Sequence, residues 1–343
     1  MGPGFRLRER LSRRDLLRRA GTLAAAGTTS VVAGAGLTSR SGRAGAEPVH
    51  DPAAHLHGGN MVVGDVDLST FDPSAYMVDF DYGTTSTLPS GQTLRSWKIV
   101  AVDQDIEVAP GVRFPAWTYN GRVPGPTLRC TEGDRLRVQF INAGTHPHTI
   151  HFHGIHAAGM DGVFEIVPPG GEFTYEFDAE PFGLHLYHCH APPLRRHLHK
   201  GLYGVFIIDP RSPRPPAREL VMAMNGFDTN LDGRNEVYAV NTVAFHYVRH
   251  PIPLRVGELV RIYLVNFTEF DPVNSLHTHA NFFHEYRTGT SLTPNGYTDV
   301  TVLAQAERAI LELTYRHPGT YMFHAHQTEF SELGWSGMFE VRP

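Results

Sequence analysis

The chain has 343 residues, which is enough for two ordinary domains with cores of their own. Its formal net charge of −5 excludes the strongly basic footprint of a nucleic-acid-binding protein. With 34 glycines, 25 prolines and few long apolar stretches, the composition favours a turn-rich, all-β protein over a helical one. The 21 histidines are the unusual feature, because many of them occur in His-x-His pairs.

Residues 1–46 are predicted to be a targeting segment rather than part of the fold. Ser12–Arg18 contains two adjacent arginines and resembles the twin-arginine export signal. A weakly apolar run rich in Ala and Gly follows at 20–37, and small residues at 44–46 offer a cleavage site. We therefore expect export by the twin-arginine route to an extracellular or periplasmic location, with no membrane span in the mature chain.

The remainder of the chain divides into a leader, two domains and a linker. Residues 47–93 are predicted to be an N-terminal leader, with loop histidines to which no role is assigned: His50, His55 and His57. From 94 to 210 short alternating strands separated by turn signals predict a first β domain. Prolines make 211–218 a stiff linker, and a second series of strands predicts a second domain at 219–343.

The second domain repeats the motifs of the first. Gly183–His190 (Gly-Leu-His-Leu-Tyr-His-Cys-His) matches Gly319–His326 (Gly-Thr-Tyr-Met-Phe-His-Ala-His), and His151–His153 matches His277–His279. A repeat of this kind indicates one duplicated β-sandwich. A spacing of two places both imidazoles of a pair on one face of a strand, and imidazole suits copper, zinc, iron or nickel. The paired histidines are His151, His153, His188, His190, His277, His279, His324 and His326.

A second kind of site is predicted around Cys189. This residue has the opposite parity to the two histidines beside it, so a strand would project its thiolate to the other face. His148 likewise has the opposite parity to the pair that follows it. One thiolate with two imidazoles suits a trigonal blue-copper site, for which either His197 or His199 supplies the second histidine.

The second repeat lacks this extra site. Ala325 stands at the position of Cys189, and Asn274 stands at the position of His148. No histidine follows His326 before Gly334. The sequence therefore predicts one thiolate site and one polyhistidine cluster.

Together these motifs resemble the multicopper oxidases, and more narrowly their two-domain, laccase-like members, over roughly 94–343. The resemblance implies two tandem cupredoxin-like Greek-key β-sandwich domains and four coppers: one type 1, one type 2 and two type 3. Leu202 occupies the position of the family's axial methionine, so we expect a raised copper potential. The implied type 1 ligands are His148, Cys189 and His197. The implied type 2 ligands are His151 and His277, and the implied type 3 ligands are His153, His188, His190, His279, His324 and His326.

The same resemblance implies partners and catalytic residues. In this family the trinuclear cluster lies between two domains, which implies a head-to-tail homotrimer with copper clusters at its subunit interfaces. Cys189 would pass electrons to the cluster. Asp161 matches an acidic residue near the type 2 copper, although an aspartate before Gly162 is also typical of a plain turn. Asp161 is thus a candidate proton relay for dioxygen reduction, and Glu329 is a second one.

The function implied is a secreted laccase-like oxidase. It would take single electrons from phenols, aromatic amines or metal ions and reduce dioxygen to water. One alternative is a copper nitrite reductase, a family with an aspartate at the position of His151 and no histidine at the position of His190. Another is a non-catalytic copper-binding protein, against which the fixed positions of the ligands in paired strands argue.

Overall fold

The computed structural model describes residues 64–343, so the predicted export signal and the histidines of the early leader lie outside the described part. It is an all-β protein of two sandwiches, as the strand pattern predicted. Within residues 64–343, a short 3-10 helix (Ala158–Met160) and four short α-helices interrupt the strands: Pro73–Tyr76, Leu194–His199, His246–Arg249 and Thr328–Glu332. Within residues 64–343, none of the helices has the length and apolar character that crossing a bilayer requires.

The strands are numbered in chain order. Those of the first half are β1 (Phe80–Asp81), β2 (Thr84–Thr87), β3 (Thr93–Ala109), β4 (Val112–Tyr119), β5 (Gly125–Thr131), β6 (Arg135–Asn142), β7 (His151–Phe152), β8 (Glu172–Asp178), β9 (Gly183–His188) and β10 (Tyr203–Asp209). Those of the second half are β11 (Arg218–Phe227), β12 (Val237–Val240), β13 (Ile252–Arg255), β14 (Val260–Asn266), β15 (Val273–Thr278), β16 (Phe283–Arg287), β17 (Gly296–Thr298), β18 (Val300–Ala304), β19 (Arg308–Leu313), β20 (Gly319–His324) and β21 (Ser336–Arg342).

The first sandwich is formed by two sheets with the strand orders β1-β5-β10-β9-β7 and β2-β3-β6-β8, and β4 pairs with β3. Their facing sides bury one apolar core that contains Trp97, Phe140, Tyr175 and Phe206. Part of the predicted leader belongs to these sheets. β1 pairs in parallel with β5, and β2 pairs with β3.

The second sandwich has the strand orders β12-β11-β14-β19-β16-β17 and β13-β21-β20-β15-β18 around its own core. The duplication is visible in the strand register. β7 pairs with β9 so that His151 lies opposite His188, and β15 pairs with β20 so that His277 lies opposite His324. The two domains therefore present corresponding histidines from corresponding strand pairs.

A third apolar cluster joins the two domains. It is formed by alternate residues of β9 and β10 against β11 and β14. On β10, Val205 and Ile207 face this interface, whereas Phe206 and Ile208 face the core of the first domain. Since β9 and β10 are buried on both faces, their register is fixed by packing on two sides. The strand β9, which ends directly before Cys189, is therefore rigidly held.

Charged side chains also cross from the first domain to the second. The Arg129 guanidinium contacts Asp209 at 2.8 Å and Glu219 at 2.7 Å. Glu219 in turn contacts Arg261 at 3.2 Å, and Arg261 contacts Glu312 at 2.7 Å. These pairs satisfy buried charges at both ends of the 211–218 linker and fix where it enters and leaves the sandwiches.

Replacing Arg129 with Ala is expected to lower the free energy of unfolding by about 3 kcal/mol or more, because two carboxylates lose their buried partner. The matched control is Arg135→Ala, which removes a partly exposed arginine paired with Asp178 and should cost less than about 1 kcal/mol. Chemical denaturation of both variants measures the difference. Equal losses would show that the linker charges do not act as a buried network.

Candidate metal centres

The structure brings His148, Cys189 and His197 together at one end of the first sandwich. The Cys189 Sγ lies 3.2 Å from Nδ1 of His197 and 4.0 Å from Nδ1 of His148, and the two Nδ1 atoms are 3.1 Å apart. All three side chains are at least 97% buried, with exposures of 0% for Cys189, 1% for His148 and 3% for His197. One thiol and two imidazole nitrogens converging in an apolar setting form the donor set of a blue-copper site.

Three separate elements deliver these ligands. Cys189 follows directly after β9 and points into the core of the first domain. His148 is held by a β-bridge to Val167, in which each N–H donates to the other residue's carbonyl at 3.0 Å. His197 lies in the last turn of the Leu194–His199 helix.

The structure also separates the two candidate histidines of that helix. Residues two apart on a helix point in different directions. His197 therefore reaches the Cys189 thiol, whereas His199 packs between the rings of Phe114 and Phe270, at 5.6 and 5.1 Å between ring centroids. The geometry places His197, and not His199, in the thiolate site.

The surroundings of the thiolate site are apolar and closely packed. The Trp117 ring lies against both imidazoles, 5.2 Å from His148 and 4.9 Å from His197 between centroids. The Thr149 N–H points at the Cys189 Sγ at 3.4 Å, a contact that stabilises a thiolate. Leu202 is fully buried, and its carbonyl accepts the Cys189 N–H at 2.9 Å. Burial raises the pKa of the Cys189 thiol, so a bound cation is the group that would favour the thiolate.

A first histidine cluster lies on the other side of β9. His151, His153, His188 and His190 form neighbouring rings, with the His153 and His188 Nε2 atoms 3.3 Å apart. The Nδ1 of His188 donates to the Cys189 carbonyl at 2.9 Å, which leaves its Nε2 free to bind a metal. His151 donates Nδ1–H to the carbonyl of Asp161 at 2.8 Å, and the Asp161 carboxylate lies 3.2 Å from the same nitrogen.

A second histidine cluster repeats this arrangement in the other domain. His277, His279, His324 and His326 form neighbouring rings, with the His279 and His324 Nε2 atoms 3.0 Å apart. His324 donates Nδ1–H to the Ala325 carbonyl at 2.7 Å. The correspondence extends to the backbone, where the N–H of His190 donates to Thr149 and the N–H of His326 donates to Ser275.

The structure supplies an acidic residue that the sequence reasoning missed. Asp299 accepts the Nδ1–H of His277 on its carbonyl at 2.9 Å, with its carboxylate 3.7 Å from that nitrogen. It is therefore the counterpart of Asp161. The repeat gave no signal for it, because Asp161 follows its histidine by 10 residues and Asp299 follows its own by 22.

Glu329 is placed differently from Asp161. It is exposed on the Thr328–Glu332 helix, and within residues 64–343 no hydrogen bond or ion pair joins its carboxylate to a histidine. The two acidic candidates from the sequence thus differ: Asp161 contacts a cluster histidine, whereas Glu329 makes no such contact within residues 64–343.

Burial keeps four of the candidate ligand histidines neutral. Desolvation and the neighbouring rings lower the pKa of His153 to about 2 and the pKa of His188 to about 4. Burial likewise lowers the pKa of His148 and of His197 to about 4. A neutral imidazole is the form that binds a metal, so these sites are ready for coordination at neutral pH.

The two histidine clusters do not contact each other in the described part of the chain. Every ring contact or hydrogen bond between their imidazoles, over residues 64–343, stays within one cluster. His279 and His326 of the second cluster are exposed. Four imidazoles in each cluster suit the binding of a transition metal such as copper.

Replacing His197 with Ala is expected to abolish the blue thiolate-to-copper absorption, because the trigonal site loses one of its two imidazoles. The matched control is His199→Ala, two residues along the same helix, which should retain the band. Optical spectra and copper content of both copper-loaded variants test this assignment. Loss of the band in the control alone would reverse the assignment.

Comparisons with known proteins agree with this geometry. Two sequence profiles described as multicopper oxidase match residues 101–213 and 213–343. A solved structure titled as a multicopper oxidase is 57% identical, covers 81% of this chain and all of its own, and superposes with a TM-score of 0.80.

Curated relatives include two kinds of copper enzyme. The copper-containing nitrite reductase of Neisseria gonorrhoeae is 27% identical over 249 residues, which are 67% of this chain and 63% of that protein. The chain thus spans less than two thirds of that relative's length. Laccase-9 of Arabidopsis thaliana is 42% identical over 104 residues, 28% of this chain and 17% of that protein. On the profiles and the solved structure, the chain belongs to the multicopper oxidase family and consists of two cupredoxin domains.

Proposed function

We propose that this protein is a laccase-like oxidase with four coppers in each active unit. The observation that carries the proposal is the presence of two matching four-histidine half-clusters, one of which lies directly behind a His2Cys site on the same strand. We assign the type 1 ligands to His148, Cys189 and His197. When bound, the coppers would supply one-electron oxidation of a phenol, aromatic amine or metal ion and four-electron reduction of dioxygen to water.

The chain itself joins the two sites closely. Cys189 is covalently linked to His188 and His190, so the thiolate ligand and two cluster ligands share consecutive residues. The His188 imidazole also donates a hydrogen bond to the Cys189 carbonyl at 2.9 Å. These links give electrons a short path from the thiolate to the histidine cluster.

The half-clusters support assembly into a homotrimer. Each domain offers four histidines, and within one chain the two sets do not contact each other. A head-to-tail ring would bring the first half of one subunit against the second half of the next, and such a contact must close to stay finite. We assign the type 2 pair to His151 and His277, and the type 3 pair to the remaining six paired histidines.

Two aspartates are suited to positioning and proton supply. The backbone carbonyls of Asp161 and Asp299 each accept the Nδ1–H of one of the two histidines assigned to type 2. Such contacts fix the ring orientation and leave Nε2 for the metal. Their carboxylates lie close enough to the imidazoles to deliver protons where dioxygen is reduced. A role for Glu329 as a proton relay is proposed from the sequence alone. Export by the twin-arginine route is likewise proposed from the sequence alone.

Copper nitrite reductase is the second candidate function. It is favoured by the similarity to the Neisseria gonorrhoeae enzyme, which extends over 67% of this chain. The chain departs from that family's pattern at His151 and His190, and both side chains lie in the first histidine cluster. A full set of eight cluster histidines favours dioxygen over nitrite as the acceptor.

An anaerobic-then-aerobic optical titration of the copper-loaded protein tests the proposal. We expect a blue thiolate band and a near-ultraviolet shoulder from the coupled pair. Both should bleach with a phenolic reductant and return as dioxygen is consumed. A blue band without the shoulder or oxygen uptake would contradict the proposal, and nitrite turnover would then support the second candidate.

Replacing Asp299 with Asn removes the carboxylate 3.7 Å from Nδ1 of His277 and keeps the backbone carbonyl that accepts its N–H. We expect the turnover number for oxygen uptake to fall about 10- to 100-fold, as loss of a group beside a metal-bound histidine commonly does. The rate of anaerobic bleaching of the blue band should not change, because the thiolate site lies in the other domain. Asp232→Asn, at an exposed aspartate in the loop between β11 and β12, serves as the control. Slower bleaching in Asp299→Asn would indicate a general loss of structure instead.

A further inference from the structure

An exposed apolar loop follows the first histidine cluster. Between β7 and β8, Phe164 is 85% exposed, Ile155 is 60% exposed and Ile166 is 46% exposed. Phe164 is the most exposed of the large apolar side chains in residues 64–343. Several apolar side chains exposed on one loop are typical of a contact surface.

The loop holds Phe164 in a fixed position. Gly162 has φ of +70°, and a side chain there would collide with the Ile150 carbonyl, so the turn requires glycine. The Ile166 N–H donates to the Phe164 carbonyl at 2.9 Å and closes the next turn. The phenyl ring is therefore presented on a constrained turn rather than on a free end.

Both ends of the loop are fastened to the metal centres. On one side, the Asp161 carbonyl holds His151 of the first cluster at 2.8 Å. On the other, Val167 forms the β-bridge with His148 of the thiolate site. Whatever Phe164 contacts is thus connected through a few residues to both kinds of ligand.

A cavity with a mixed lining lies beside the second cluster. It has a volume of about 630 Å³, and charged and polar residues such as Glu312 and Arg316 line its wall together with four aromatic side chains: Phe282, Tyr297, Tyr315 and Tyr321. Two of these rings are open to solvent, with Phe282 46% exposed and Tyr297 63% exposed. Asp299, which holds His277, also lines this cavity.

We propose that Phe164 of one copy of the chain inserts into this aromatic cavity of the next copy. The inference rests on the proposed four-copper function and names the contact that would assemble its cluster. The exposed ring lies next to the first half-cluster, and the cavity lies next to the second. Docking one into the other therefore brings complementary halves together.

The geometry of the contact also selects the kind of assembly. The inserted ring and the cavity are different surfaces of the same chain, so the contact is head-to-tail and must close into a ring. A large aromatic side chain that fills a pocket at an interface typically carries much of the binding energy. The binding partner proposed for the apolar loop is thus a second copy of this chain.

The test is the Phe164→Asp variant, studied by analytical ultracentrifugation of the copper-loaded protein and of the metal-free protein. We expect the mass to fall from three chains to one, and the milder Phe164→Ala variant to dissociate at about tenfold higher concentration or more. The near-ultraviolet shoulder of the coupled pair should disappear with the trimer. The blue band should persist, because its three ligands come from one chain.

One control variant and one second test variant complete this experiment. Leu231→Asp replaces another apolar residue with 60% exposure, on the loop between β11 and β12, and should leave the trimer intact. Phe282→Asp, in the cavity wall, should dissociate the trimer as Phe164→Asp does. A mixture of the two dissociated variants should form dimers, because one intact ring and one intact cavity remain in each pair.

The outcomes separate this inference from the proposed function. If wild-type protein is a trimer with the blue band and the shoulder, and Phe164→Asp stays a trimer, the docking contact is wrong and the oxidase proposal stands. If the variants dissociate as expected but wild-type protein lacks the shoulder and oxygen uptake, the contact stands and the oxidase proposal fails. A monomeric or dimeric wild-type protein would overturn the contact outright.

Discussion

The alternation of side chains along β9 is the constraint on which the metal chemistry of this protein depends. Even-numbered residues of the strand face the interface between the domains, and odd-numbered ones face the core of the first domain. At the end of the strand, His188 therefore enters one site and Cys189 enters another. Burial on both faces prevents a shift of register, which would exchange the two groups.

Duplication explains why the second domain has half of this arrangement. β20 presents His324 and His326 as β9 presents His188 and His190, but Ala325 replaces the thiol. The position equivalent to His148 is Asn274, whose side chain is buried and hydrogen-bonded to Thr268. The second domain thus has ordinary core packing where the first has the thiolate site, and it has the same set of four clustered histidines.

Much of the site could be predicted from the sequence because its ligands lie in strands, where parity fixes direction. Cys189 groups with His148 and His197, and the paired histidines group with one another by metal-binding distances or ring contacts, as parity separates them. Prediction stopped where the geometry is not that of a strand. His197 and His199 lie on a helix. Residues two apart point the same way on a strand but in different directions on a helix, so the strand rule could not choose between them.

Residues contributed by loops of unequal length could not be predicted in this way. Asp299 performs in the second domain what Asp161 performs in the first, yet β16 and β17 are inserted between it and its histidine. β1 was missed within the predicted leader because a strand of two residues shows no alternation. Asp299 meets His277, and β1 meets β5, only through tertiary contacts, and these cannot be read from the repeated sequence motifs.

The positions of the half-clusters give the loop after β7 a structural role beyond connection. A four-histidine half-site at the surface is useful only when a facing half is held at the right distance, and metal coordination tolerates little error in position. Asp161 and Val167 tie that loop to His151 and His148. In the proposed assembly, a contact made by Phe164 would therefore set the position of these ligands relative to a neighbouring copy.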